Sequence, residues 1–234
     1  MNDKSFVRFG GLSGILLALT AWVAVAVYFV MVPPAQQQPI GDLGGFVASL
    51  AQNPTGTLLY TGLYALTAFW SISATIGVYY VVRKSGEAWA FFATIVGAIN
   101  AVGWLLTGLA QLANLRYIAS LSGAEAVDVA RMLLMTPLSI NPFNLMTSGL
   151  TSIWFLVTAL LILRTSGMPK LLGYLGLVAF ADLAVGFIAS LAGVVVVPTL
   201  TAIIAGAVGG PIFWLWFGVL IRRSADGMGE AGTR

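Results

Sequence analysis

The 234-residue chain contains no cysteine and no histidine. Without cysteine there is no disulfide, thiolate nucleophile, iron–sulfur cluster or Cys-ligated zinc. Without histidine, His-ligated haem, His metal sites and every Ser-His or Cys-His catalytic pair are excluded too. No cofactor is expected. Charge is also scarce: Asp, Glu, Lys and Arg make up 8% of the residues, against about 25% in a soluble domain. Such a chain cannot cover its own surface with groups that water solvates. With 59% hydrophobic residues and a mean hydropathy of +0.95, its expected partner is the lipid bilayer. The net charge of +3 is too small to read as a nucleic-acid footprint, so no nucleic-acid partner is expected.

What is present is a series of long apolar runs. A membrane span needs about 20 mostly apolar residues. Six segments qualify, roughly 10–32, 57–82, 88–114, 144–164, 171–196 and 199–221. The last two are separated only by Val197-Pro198-Thr199, where proline removes a backbone donor and favours a tight turn. About 50 residues cannot cross once. The expectation is an all-α polytopic membrane protein, with a single six-helix transmembrane bundle over 1–223. The polar, Gly-rich stretch 224–234 reads as a disordered tail. The first run is longer than a signal-peptide core and lacks a small-x-small cleavage site, so it reads as a retained helix. No internal repeat is visible, and the inverted three-plus-three plan of many transporters finds no support in the helix sequences.

Basic residues give the expected orientation. With the N-terminus inside, nine of the eleven Lys and Arg lie on the inner side, leaving Arg116 and Arg131 outside. Both termini are therefore expected to be cytoplasmic. Tyr28, Tyr60 and Tyr117 fall near the outer interface, and Tyr79, Tyr80, Trp89 and Tyr174 near the inner one. Two outer loops read as short surface helices. In 42–52, Leu43, Phe46, Val47 and Leu50 follow helical spacing behind a candidate N-cap, Asp42. In 122–135, Ser122 and Glu125 have capping-box spacing, and Val127, Ala130 and Leu134 form an apolar stripe. Both are expected to rest on the outer bilayer surface or to lid the bundle.

Of all the charged residues, only Asp182 lies deep inside an apolar run. A charge there costs at least about 2.5–3.5 kcal/mol, so such residues usually face the bundle interior. Ala179, Gly186, Ala189 and Gly193 share its face, and small residues let helices approach closely. No Lys or Arg is available at that depth, so a neutral, hydrogen-bonding Asp is expected. The expected partner is Asn100, at matching depth on the third span. It heads a polar stripe of Asn100, Trp104, Thr107, Gln111 and Asn114. Ser148, Thr151 and Ser152 add a stripe on the fourth span, and Ser71, Ser73 and Thr75 one on the second. The candidate cluster is thus Asp182, Asn100, Trp104, Thr107, Gln111, Ser148 and Thr151. Two readings stay open for it besides a contact to another subunit: interhelical hydrogen bonding, or handling of a proton or substrate. Ala202, Gly206 and Gly210 form a small-residue stripe beside Pro211, expected to give close packing with a kink.

Catalytic constellations are missing. An acid dyad needs a second intramembrane carboxylate, and a Ser/Lys dyad needs a lysine deeper than Lys84 or Lys170. Asn53-Pro-Thr55 fails as a glycosylation site because proline follows the asparagine. No enzymatic role is expected.

The stretch from Leu163 through Arg164, Pro169-Lys170-Leu-Leu-Gly173-Tyr-Leu-Gly176 to Leu177 resembles a signature of a large bacterial family of six-helix integral membrane proteins whose domain is of unknown function. The opening Arg8-Phe-Gly-Gly-Leu-Ser-Gly14 and the ending Trp214-Leu-Trp216-x-Gly218-x-x-Ile-Arg222-Arg223 are similar to it as well. The resemblance implies a six-helix fold in the bacterial inner membrane. It carries no reaction and no catalytic residues. Physically, Pro169 suits a helix start, Lys170 meets headgroups, and Gly173 and Gly176 permit tight packing. The leading expectation is a non-enzymatic accessory or structural membrane subunit, with a membrane-protein partner or a second copy as possible company. The alternative is a small proton-coupled permease using Asp182.

Overall fold

Long apolar segments cross hydrocarbon as helices because a helix satisfies its own backbone where no water can. The computed structural model describes residues 3–37, 42–135, 145–194, 200–201 and 204–230. Among them every regular element is helical: α1 (Asp3–Met31), α2 (Pro34–Gln37), α3 (Leu43–Gln52), α4 (Thr55–Val82), α5 (Glu87–Ser120), α6 (Gly123–Met135), α7 (Thr151–Arg164), α8 (Lys170–Leu191) and α9 (Gly210–Glu230). A 3-10 turn, Arg83–Ser85, links α4 to α5. Two π turns, Leu145–Leu150 and Ile204–Gly209, lead into α7 and α9. Six helical stretches are long and apolar enough to span a membrane: Lys4–Met31, Thr55–Ser85, Glu87–Ser120, Leu145–Arg164, Lys170–Leu191 and Ile204–Ser224. The expected six-span, all-α architecture is the observed one.

Consecutive spans run antiparallel, and α9 packs back on α1. An added Cβ at Gly11 would lie 2.7 Å from the Arg222 side chain, which puts the start of α1 and the end of α9 at one end of the bundle, the terminal face. The opposite end is the distal face. The expected turn at Val197-Pro198-Thr199 lies outside the described residues. Helix α9 continues to Glu230, so helix covers 224–230 of the stretch expected to lack structure, and 231–234 lie outside the described residues.

Glycine contacts hold the first half together. A Cβ on Gly10 would sit 2.7 Å from Gly77 Cα, and one on Gly14 3.3 Å from Gly218 Cα. Helix α1 therefore touches α4 and α9 backbone to backbone, as small residues allow in a membrane. Ser73 adds a 2.7 Å hydrogen bond to the fully buried Ser13.

Aromatic rings fill the middle. Trp154 of α7 stacks on Trp214 of α9, with ring centres 4.9 Å apart and planes 16° from parallel. Phe213 stands edge-on to Phe155 at 5.0 Å and lies against Phe217 at 5.6 Å. Phe213 and Phe217 are fully buried.

The distal face carries a second, smaller core. Helix α5, at 34 residues, is about 51 Å long at 1.5 Å per residue, well over the roughly 30 Å of hydrocarbon. Its last turns run beyond the length that a span needs. There Leu115 and Ile118 pack with Phe46, Val47 and Leu50 of α3 and with Ala126 and Ala130 of α6. Asp42 caps α3, its carboxylate accepting from Gly45 N at 2.9 Å. The two short helices thus lid the bundle, docking on α5 and on each other rather than lying apart on lipid. A polar knot ties the lid to the spans. Buried Gln36 donates to Ser49 Oγ at 2.9 Å and to the Asn53 carbonyl at 3.1 Å, and it accepts from Thr57.

Candidate functional site

Polar groups at membrane depth cluster around the two π turns. A π turn pairs each amide five residues back, so carbonyls at its ends lose their usual partners, and such insertions often occur at functional sites. Side chains serve those carbonyls here. Thr151 Oγ1 donates to Met146 O at 3.3 Å, and Ser152 Oγ to Gly149 O at 2.7 Å. At the second turn, Trp22 Nε1 of α1 reaches Ala207 O at 3.1 Å. Helix α8 touches both turns: Phe187 packs on Gly149, and Gly186 leaves room for Thr201, just ahead of the second turn.

Asn100 is buried, at 7% exposure. Its Oδ1 accepts from Thr151 Oγ1 at 3.1 Å, so the expected third and fourth polar stripes do meet. Asp182 is elsewhere. It faces the second π turn, with its carboxyl group beside the backbone amide of Ala205. Its Oδ2 is buried without a hydrogen-bond partner. The interior orientation holds for Ala179 and Gly186, which are buried, while Asp182 and Ala189 are half-buried and Gly193, past the end of α8, is exposed. The structure does not pair Asp182 with Asn100, because α7 packs between α5 and α8.

The rest of the α5 stripe grades outward. Trp104 is half-buried, with its ring edge-on to Tyr64 at 5.0 Å. Thr107 turns its hydroxyl back to Gly103 O at 2.8 Å, and Gln111 is exposed. Ser148 is half-buried on the first π turn, and Ser71 bonds its own helix at Ala68 O, 2.7 Å. Gly206 does not pack closely: a Cβ there would meet nothing within 4 Å. The π turn rotates that segment away from the register of a regular helix. Ala202 lies outside the described residues.

Sequence reading missed the Trp154–Trp214 stack and the π turns. Tryptophan at mid-span gives no sign of its direction, and a π register is set by packing rather than by composition. Among the described residues, no three acids gather to hold a metal ion.

The motif residues find their roles at two seams. Gly173 and Gly176 let α8 close on α7, where added Cβ atoms would lie 2.6 Å from Leu163 Cγ and 2.9 Å from Ala159 Cβ. Lys170 also donates to the Leu163 carbonyl, closing the end of α7. Gly11, Gly14 and Gly218 form the α1–α9 seam. Residues 12–219 match the family described as a domain of unknown function, DUF4386. The chain belongs to that family. The DUF4386 match begins within α1 and ends within α9, so it takes in all six spans. No curated protein and no solved structure matches the chain.

Proposed function

We propose that this chain is a non-catalytic, multi-pass subunit of the bacterial cytoplasmic membrane. Both termini would lie in the cytoplasm, and its polar groups at depth would hold the bundle together for a membrane-protein partner or a second copy. The observation that carries this reading is where those groups are engaged. Thr151, Ser152 and Trp22 satisfy carbonyls of the π turns, Asn100 takes Thr151, and Asp182 lies beside the Ala205 amide. The Trp154–Trp214 stack supports it by filling the space between α7 and α9 on the terminal side of those residues. The nine-to-two bias of basic residues supports the orientation.

A second reading, a proton-coupled permease, is favoured by one observation: the buried Oδ2 of Asp182 has no partner, and intramembrane acids often mark ion pathways. Substitution separates the two. Asp182→Asn keeps an acceptor for the Ala205 amide and should melt with the parent in mild detergent. Asp182→Leu removes the acceptor beside that amide and should lose about 1–3 kcal/mol. Equal melting of the Leu variant and the parent would sink the structural reading. A folded Asn variant that abolishes pH-driven flux in proteoliposomes would establish the permease.

A further inference from the structure

Between α5 and α7, at the terminal end of the bundle, lies a groove of about 290 Å³ lined by Trp89, Leu156, Val157, Leu160, Leu161 and Arg164. Val157 and Leu161 are its buried floor, while Leu160 and Trp89 stand exposed along its sides. An apolar trench on the outside of a span is a place for hydrocarbon. Its end is not apolar. Arg164 closes α7 with its side chain exposed. Arg83 and Lys84 sit in the turn before α5, and Lys170 opens α8.

The two loops bearing these four cations are tied together by the hydroxyls of Ser85 and Thr165, 2.8 Å apart. Against them stands Glu87, which accepts from Tyr79. Arg83 lies over the Tyr80 ring at 5.0 Å, and Lys170 is directed to the Leu163 carbonyl. Arg164 lines the groove and is exposed, and Lys84 is exposed in the turn before α5. Basic pockets between spans suit anionic headgroups, and tryptophan favours the interfacial level.

We propose that this groove is a binding site for an anionic phospholipid. One acyl chain lies along Leu156, Val157, Leu160 and Leu161, and its phosphate sits at Arg164 beside Trp89. The proposal needs the spans to be in a bilayer but does not depend on the role of Asp182.

The test uses the full chain reconstituted in vesicles of equal phosphatidylglycerol and phosphatidylcholine and then extracted in mild detergent, with co-purifying lipid quantified by mass spectrometry. The parent should retain phosphatidylglycerol in excess. Arg164→Gln should lower that preference about fivefold, the factor contributed by one basic residue near an anionic headgroup, whereas Arg164→Lys should keep most of it. Leu160→Trp, which fills the trench, should lower retention of both lipids. Arg131→Gln, on α6 at the distal end, should change neither. A parent ratio near one, or a ratio unmoved by Arg164→Gln in protein that melts like the parent, would overturn the proposal. So would displacement of phosphatidylglycerol by equimolar inorganic phosphate, which would mark a bare anion site.

Discussion

Thr151 illustrates how one hydroxyl serves two irregularities. It donates toward Asn100 Oδ1 and toward the Met146 carbonyl, at 3.1 and 3.3 Å. Hydrocarbon offers no substitute for either contact, so the cost of losing them is set by whatever the neighbouring helices can supply. Thr151→Val is expected to destabilise the chain by about 0.6–2 kcal/mol, in the range of interhelical hydrogen bonds in membranes, and Thr151→Ser to restore most of it. Chemical denaturation in mixed micelles measures both. An unchanged Val variant would mean that the first π turn holds without its side-chain donor.

The contrast between glycines belongs to the scale of helices. On α4, Gly77 faces Gly10 of α1 with no space for a side chain, whereas a Cβ on Gly62 would meet nothing within 4 Å. Gly10→Leu should therefore prevent α1 from docking, giving aggregated material by size-exclusion chromatography. Gly62→Ala should raise stability by about 0.5–1 kcal/mol, because alanine loses less backbone freedom in a helix. A monodisperse, parent-like Gly10→Leu variant would contradict the α1–α4 seam.

Elements of this kind were largely legible in the residues. Apolar runs of about 20 residues have one stable form in lipid, and Asp42 announced the start of α3. Partners were less legible. Matching depth suggested that Asp182 and Asn100 would pair, but depth says nothing about which spans are neighbours, and α7 lies between theirs. The overrun of α5 to Ser120 was hidden because Arg116 ends the apolar run without ending the helix.

At the scale of the whole molecule, six spans enclose an interior closed by stacked rings, and the polar groups beside it are turned toward irregular backbone. The arrangement explains how a chain this apolar can carry an acid and several amides and hydroxyls at depth. The DUF4386 match takes in the same six spans, and the seams at Gly14–Gly218 and Leu163–Gly173 fall within the matched residues. The most direct measurement exploits the natural absence of cysteine. Single cysteines at 100, 104, 107, 111 and 182, with exposed Ser122 as a positive control, are treated in intact vesicles with a membrane-impermeant thiol reagent applied from each side in turn. Prompt labelling is expected at 122, with protection at 100, 104 and 182 from both sides. Labelling that steps inward from 111 through 107 and 104 to 100 and 182 would reveal a water-filled path and contradict the closed interior.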